Sequence, residues 1–213
     1  MHLIIIGCLL SFNAFTSTDS PVMMISDSDY INNRWSVLGS LGYSGYQQIR
    51  TSGSQTGLAR LALAREFINT SQANFGLELG LQSGYHIHLV VPPVSFPYYG
   101  RAISTSIMPI LDLLITAQAN PINESLLFTQ IKGGIAYRHW RINNSFFENK
   151  SEISGELQAG IGYPLTEISN LNILYQGIFG GNPKIRINPF TYAGYITTLP
   201  IQHGLLLGLS IIV

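Results

Sequence analysis

The chain has 213 residues, with 11 Lys and Arg balancing 11 Asp and Glu, and only 10% of it is charged, where a soluble globular domain carries about a quarter. Zero formal charge offers no electrostatic footprint for nucleic acid. Mean hydropathy is +0.24, yet no run reaches the ~18 consecutive apolar residues of a membrane helix. A membrane β-barrel reconciles these facts, because lipid-facing and lumen-facing residues alternate along each strand and dilute the hydropathy signal.

In chain order, residues 3–10, "LIIIGCLL", form a short apolar run followed by "SFNAFTSTDS", in which Ala14 and Thr16 supply small residues ahead of Ser17. This is the layout of an export signal over residues 1–16, lacking the usual basic n-region since only His2 precedes the apolar run. Residues 17–33 are then expected to be a periplasmic segment and 34–213 the barrel. Cys8 is the single cysteine, so the mature part has neither a disulfide framework nor a thiol site.

Eight segments then alternate apolar with small or polar residues, the period of a strand between two environments. Residues 35–45 set Trp35, Val37, Leu41 and Tyr43 against Ser36, Ser40 and Ser44; residues 58–67 set Leu61, Leu63 and Phe67 against Arg60, Ala62, Ala64 and Glu66. Arg65 interrupts the apolar side of that second segment, which suits a position near a membrane interface. The third, "FGLELGLQSGYHIHL" over residues 75–89, is the clearest: Phe75, Leu77, Leu79 and Leu81 oppose Gly76, Glu78, Gly80 and Gln82. Residues 107–117 oppose Leu111, Leu113 and Ile115 to Asp112 and Thr116, and 127–137 oppose Ile131, Ile135 and Tyr137 to Gln130, Lys132 and Gly134. "EISGELQAGIGYPL" opposes Ile153, Leu157, Ile161 and Tyr163 to Ser154, Glu156, Gln158 and Gly160; residues 171–179 and the terminal "HGLLLGLSIIV" complete the set.

The connections alternate in length. "INTSQAN", "QANPINE" and "PLTEISN" are short and rich in turn-forming residues; the others, near 47–57, 90–106, 141–151 and 180–199, are long. Short turns at one end and long loops at the other describe an outer-membrane barrel, whose even strand number leaves both termini periplasmic. The expected fold is all-β, an eight-stranded antiparallel up-and-down transmembrane barrel. Ten strands are the alternative, because "KIRINPFTYAGYITTLP" can form an extra hairpin. A soluble barrel fits less well, since the second face is too poor in charge to meet water.

The export signal, the "GLELGLQSGY" and "GELQAGIGY" strands, the rhythm of turns and loops, and the terminal "GLLLGLSIIV" together resemble the small OmpA-type and OmpX-type outer-membrane β-barrels of Gram-negative bacteria. The resemblance covers nearly the whole mature chain and is one of pattern. It implies location in the cell outer membrane, contact with membrane lipid and lipopolysaccharide, and handling by the barrel assembly machinery. That machinery's C-terminal signal would comprise Leu205, Leu207, Leu209, Ile211 and Val213; it usually ends in an aromatic residue, and Val213 departs from this.

Alternation points one charged set inward: Arg34, Arg60, Glu66, Glu78, Asp112, Lys132, Arg138 and Glu156. Four are basic and four acidic, and unpaired buried charge is costly, so Glu78 and Glu156 are expected to pair with Lys132, Arg138 or Arg60 and to plug the lumen. The alternative is a porin-like channel for small solutes. No cofactor or metal is expected: His86 and His88 share one side of a strand but lack a third ligand. No enzyme is expected either, as no histidine is followed two residues later by serine, the pair of barrel lipid A deacylases, and no G-x-S-x-G elbow occurs. The loops are the candidate surface for a host or other ligand, through Tyr98, Tyr99 and Arg101, Phe146 and Phe147, and Lys184 and Arg186.

Overall fold

The computed structural model describes residues 34–46, 55–70, 72–90, 102–119, 126–142, 150–180, 185–186, 195–196 and 201–213. These form β1 (Trp35–Tyr46), β2 (Gln55–Asn69), β3 (Ala73–Gln82), β4 (Tyr85–Val90), β5 (Ala102–Ile107), β6 (Ile110–Ala119), β7 (Phe128–Ile142), β8 (Lys150–Pro164), β9 (Ser169–Phe179), β10 (Ile185–Arg186), β11 (Tyr195–Ile196) and β12 (Gln202–Ile212).

Eight of them close into a ring in the order β1, β2, β3, β6, β7, β8, β9, β12 and back to β1, every neighbour antiparallel. The last strand seals against the first from Ser36↔Ile212 to Tyr46↔Gln202, so the sheet has no free edge around the ring, the condition for backbone polar groups to be satisfied in lipid. All eight expected segments are staves of this ring. The third is longer than one stave: β3 stops at Gln82, and β4 resumes after Ser83 and Gly84 to form a hairpin with β5, which itself pairs with the upper part of β7 from Thr105↔Ile142 to Ile107↔Trp140. The wall is thus extended at the loop end. The segment proposed as an extra hairpin supplies β10 and β11, which among the described residues pair with each other and not with the ring; the ring keeps eight strands.

Arg34 and Val213 lie at the same end as the turns after β2 and β8: the Glu66 amide donates to the Arg34 carbonyl, Ile212 to Ile168 and Val213 to Trp35. Residues alternate in burial along each stave as the sequence period demands. On β3 the residues Phe75, Leu77, Leu79 and Leu81 are exposed while Gly76, Glu78, Gly80 and Gln82 are buried. On β12, Leu205, Leu207, Leu209 and Ile211 point outward, with Leu205 57% exposed, and Val213 just beyond the strand is exposed too. A register shift between Glu66 and Ile68 turns both Phe67 and Ile68 outward at the turn end of β2, the local effect of a β-bulge.

The interior is less uniformly polar than the sequence suggested. Leu58, Leu174 and Leu206 form one buried apolar cluster, and Ile110, Leu114, Ile178 and Trp140 are fully buried.

Candidate functional site: the charged interior

Four staves bring an ion-paired group to the middle of the barrel. Arg60 comes from β2, Glu78 from β3, Asp112 from β6 and Lys132 from β7, each on the inward parity of its strand and each 3% exposed or less. Lys132 Nζ donates to Glu78 Oε2 at 2.7 Å. Arg60 grips Asp112 with two nitrogens, Nε to Oδ2 at 3.0 Å and Nη2 to Oδ1. Its remaining nitrogen, Nη1, lies 2.7 Å from Glu78 Oε1, an ion pair that is not aligned as a hydrogen bond. The bidentate grip matches the planar fork of a guanidinium to a carboxylate. Gly80 makes it possible: a Cβ there would run into the Arg60 guanidinium and the Asp112 carboxylate, so the arginine crosses β3 over a missing side chain.

Across the lumen, β8 and β9 hold the next group through amides. Gln158 and Gln176 both donate from Nε2 to Glu156 Oε1 at 2.6 Å, and Gln176 Nε2 also donates to Gln82 Oε1 at 2.8 Å. Toward the loop end, Arg138 Nη2 donates to Glu152 Oε1 at 3.1 Å, to Ser154 Oγ at 2.6 Å and to the Gly180 carbonyl at 3.2 Å, with its guanidinium 5.5 Å from the buried Trp140 ring. Toward the turn end, Gln130 Nε2 donates to Asn172 Oδ1 at 2.8 Å. A cavity of about 280 Å³ lies there, running from Lys132 and Glu78 to Arg34, Glu66 and Glu167.

Six of the eight charges expected inside are buried there: Arg60, Glu78, Asp112, Lys132, Arg138 and Glu156. Glu66 is half-buried and Arg34 exposed, both lining the turn-end cavity, because they sit where the lumen opens. The expected pairing holds for Glu78 and fails for Arg138 and Glu156. Glu78 takes both Arg60 and Lys132, Arg138 pairs with Glu152, and Glu156 forms no ion pair among the described residues. Glu152 was missed although it shares the parity of Ser154 and Glu156; counting in twos back along β8 finds it. The same count finds Leu206, Leu174 and Leu58, which residue type alone had not assigned to the interior.

On the outer face, Arg65 stacks between Trp35 and Phe67, its guanidinium 5.1 and 5.8 Å from their ring centres. A cation and two aromatics together suit an interface belt. Tyr98, Tyr99, Arg101, Phe146, Phe147 and Lys184 lie outside the described residues, as do the side chains of Arg186 and of His86 and His88 on β4. Among the described residues no group of three or more His, Cys, Asp or Glu is placed to hold a metal, and no helix is long and apolar enough to cross a membrane.

No protein-family model and no curated protein matches the chain. Solved structures resemble it at low identity. The outer membrane protein OprG of Pseudomonas aeruginosa is 12% identical with a TM-score of 0.51, covering 84% of this chain and 93% of that one. The E. coli outer membrane protein W is 12% identical with a TM-score of 0.49, covering 83% and 96%, and Neisserial surface protein A is 9% identical with a TM-score of 0.47, covering 83% and 96%. The likeness to OprG speaks for the fold alone, that of the small outer-membrane β-barrels.

Proposed function

We propose that this protein is an outer-membrane β-barrel with a structural or surface-interaction role, its lumen closed by its own side chains and its loops turned to the outside of the cell. One observation carries the reading: all eight staves turn large apolar residues outward and exposed, among them Leu41, Leu61, Leu79, Ile115, Ile135, Leu157, Ile173 and Leu205, while charges are buried inside. In water such a belt would exceed by far the few hundred Å² of contiguous apolar surface that a soluble monomer shows. Lipid removes the problem, and a narrow lumen explains why charges go inward and pair.

In this reading residues 1–16 are an export signal, 17–33 a periplasmic segment and 34–213 the barrel, with both termini periplasmic. Membrane lipid and lipopolysaccharide contact the belt, the assembly machinery reads Leu205 to Val213, and the loops bearing Tyr98, Tyr99, Arg101, Phe146, Phe147, Lys184 and Arg186 meet a host or neighbouring surface. No step of catalysis is assigned to it. The complete overlap of β12 with β1 at the seam supports a strict demand for the last strand: deleting residues 209–213 should abolish membrane insertion, whereas Val213→Phe should leave it equal or better.

Fractionation tests the reading. The protein should appear in the outer-membrane fraction, require detergent for release, and migrate faster unboiled than boiled in gel electrophoresis. Recovery as a soluble monomer without detergent would contradict it.

A further inference from the structure

The middle of the lumen is not electrically balanced. Among the described residues, Arg60 and Lys132 face three buried carboxylates, Glu78, Asp112 and Glu156, and the next cation, Arg138, is engaged by Glu152. One negative charge is left over. Geometry assigns it to Glu156, since Arg60 and Lys132 spend their contacts on Glu78 and Asp112.

The hydrogen-bond partners of Glu156 are neutral amides, and Arg60 and Asp112 act on it only from beyond ion-pair distance. Both glutamine amides grip the same oxygen, Oε1, at 2.6 Å, and Oε2 has no partner. The amide oxygens of Gln158 and Gln176, on side chains with no solvent exposure, have no partner either. Each belongs to the same amide group whose nitrogen touches Glu156, so neither is far from the carboxylate. Three unpartnered oxygens, one of them charged, therefore belong to one buried carboxylate and the two buried amides that hold it. A buried anion with no cation in contact is disfavoured, and oxygen donors without nitrogen or sulfur suit a hard, weakly polarising cation.

We infer that Glu156, with the amide oxygens of Gln158 and Gln176, binds one monovalent alkali cation inside the barrel. A single positive charge neutralises the middle of the lumen, whereas a divalent ion would reverse the imbalance. The ion also supplies the partner that all three oxygens lack. This goes beyond the closed-lumen reading, which by itself gives no reason for stability to depend on which salt is present.

The test is thermal unfolding of the full barrel, folded in zwitterionic detergent, in sodium chloride, potassium chloride and N-methylglucamine chloride at equal ionic strength. At an alkali concentration 100 times the dissociation constant, the unfolding equilibrium constant should fall about 100-fold relative to N-methylglucamine. Glu156→Gln should unfold at the same temperature in all three salts. Gln158→Leu, which keeps the carboxylate and removes one donor, should need more alkali ion for the same midpoint, and it decides the matter alone if Glu156→Gln does not fold. Identical wild-type midpoints in the three salts would overturn the site, as would a Glu156→Gln protein that retained the preference. So would a midpoint that followed pH between 6 and 8 while ignoring the cation, because a proton would then neutralise Glu156.

Discussion

Two arcs of the same lumen solve the burial of charge differently. On β2, β3, β6 and β7 the carboxylates of Glu78 and Asp112 meet Arg60 and Lys132 directly; on β8 and β9 the Glu156 carboxylate is held by Gln158 and Gln176 and meets no cation among the described residues. The first arc contains its own counter-charges and depends on a glycine to let them meet. The second depends on hydrogen bonds that satisfy one oxygen and leave the other open. Opposite charge therefore fixes the interior on one side, while the other side supplies no counter-charge from its own side chains among the described residues.

The largest expected effect breaks the first arc. Lys132→Glu places a third carboxylate beside Glu78 and Asp112, and Glu78→Lys crowds three cations; each should cost about 3–5 kcal/mol, the scale for removing one partner of a buried pair. The double reversal should restore at least half of that loss, measured as urea midpoints in micelles. If neither single reversal moves the midpoint, the arc does not hold the barrel together. Gly80→Ala should come next, at about 1–3 kcal/mol, since its Cβ meets Arg60 and Asp112. Gly39→Ala is its control, because nothing lies within 4 Å of that Cβ, and it should stay within about 0.5 kcal/mol. Equal effects at the two glycines would mean that the Arg60 crossing is not tight. Glu152→Gln should be milder than Lys132→Glu, at about 1–2 kcal/mol, because Arg138 keeps Ser154 and the Gly180 carbonyl. A loss as large as that of Lys132→Glu would place the loop-end pair on the same footing as the central one.

Strand parity made most of this legible in advance. The outward face of β12, the inward face of β3 and the burial of Arg60, Glu78, Asp112, Lys132, Arg138 and Glu156 all follow from counting in twos, because successive side chains on a strand leave opposite faces. Partner choice was legible only in part: Glu78 meets Lys132 and Arg60 as expected, but Asp112 for Arg60 and Glu152 for Arg138 were not foreseen. Which carboxylate Arg60 reaches depends on the stagger between strands, visible only in the register Ala62↔Gly80↔Asp112, and a periodic pattern carries no stagger. Leu58, Leu174 and Leu206 were overlooked for another reason: apolar residues were read as outward, although a narrow lumen also has to be filled by side chains. Arg65, an exception to the pattern in sequence, is accounted for by Trp35 and Phe67 on either side of it.

The central claim is that the lumen is closed by these two arcs and the apolar residues around them, and conductance tests it most directly. Purified protein in a planar bilayer should be silent at moderate voltage, and should remain silent while its gel migration shows it folded. Steady, charge-selective single-channel current from the folded wild-type protein would contradict the account and favour a small-solute channel in its place.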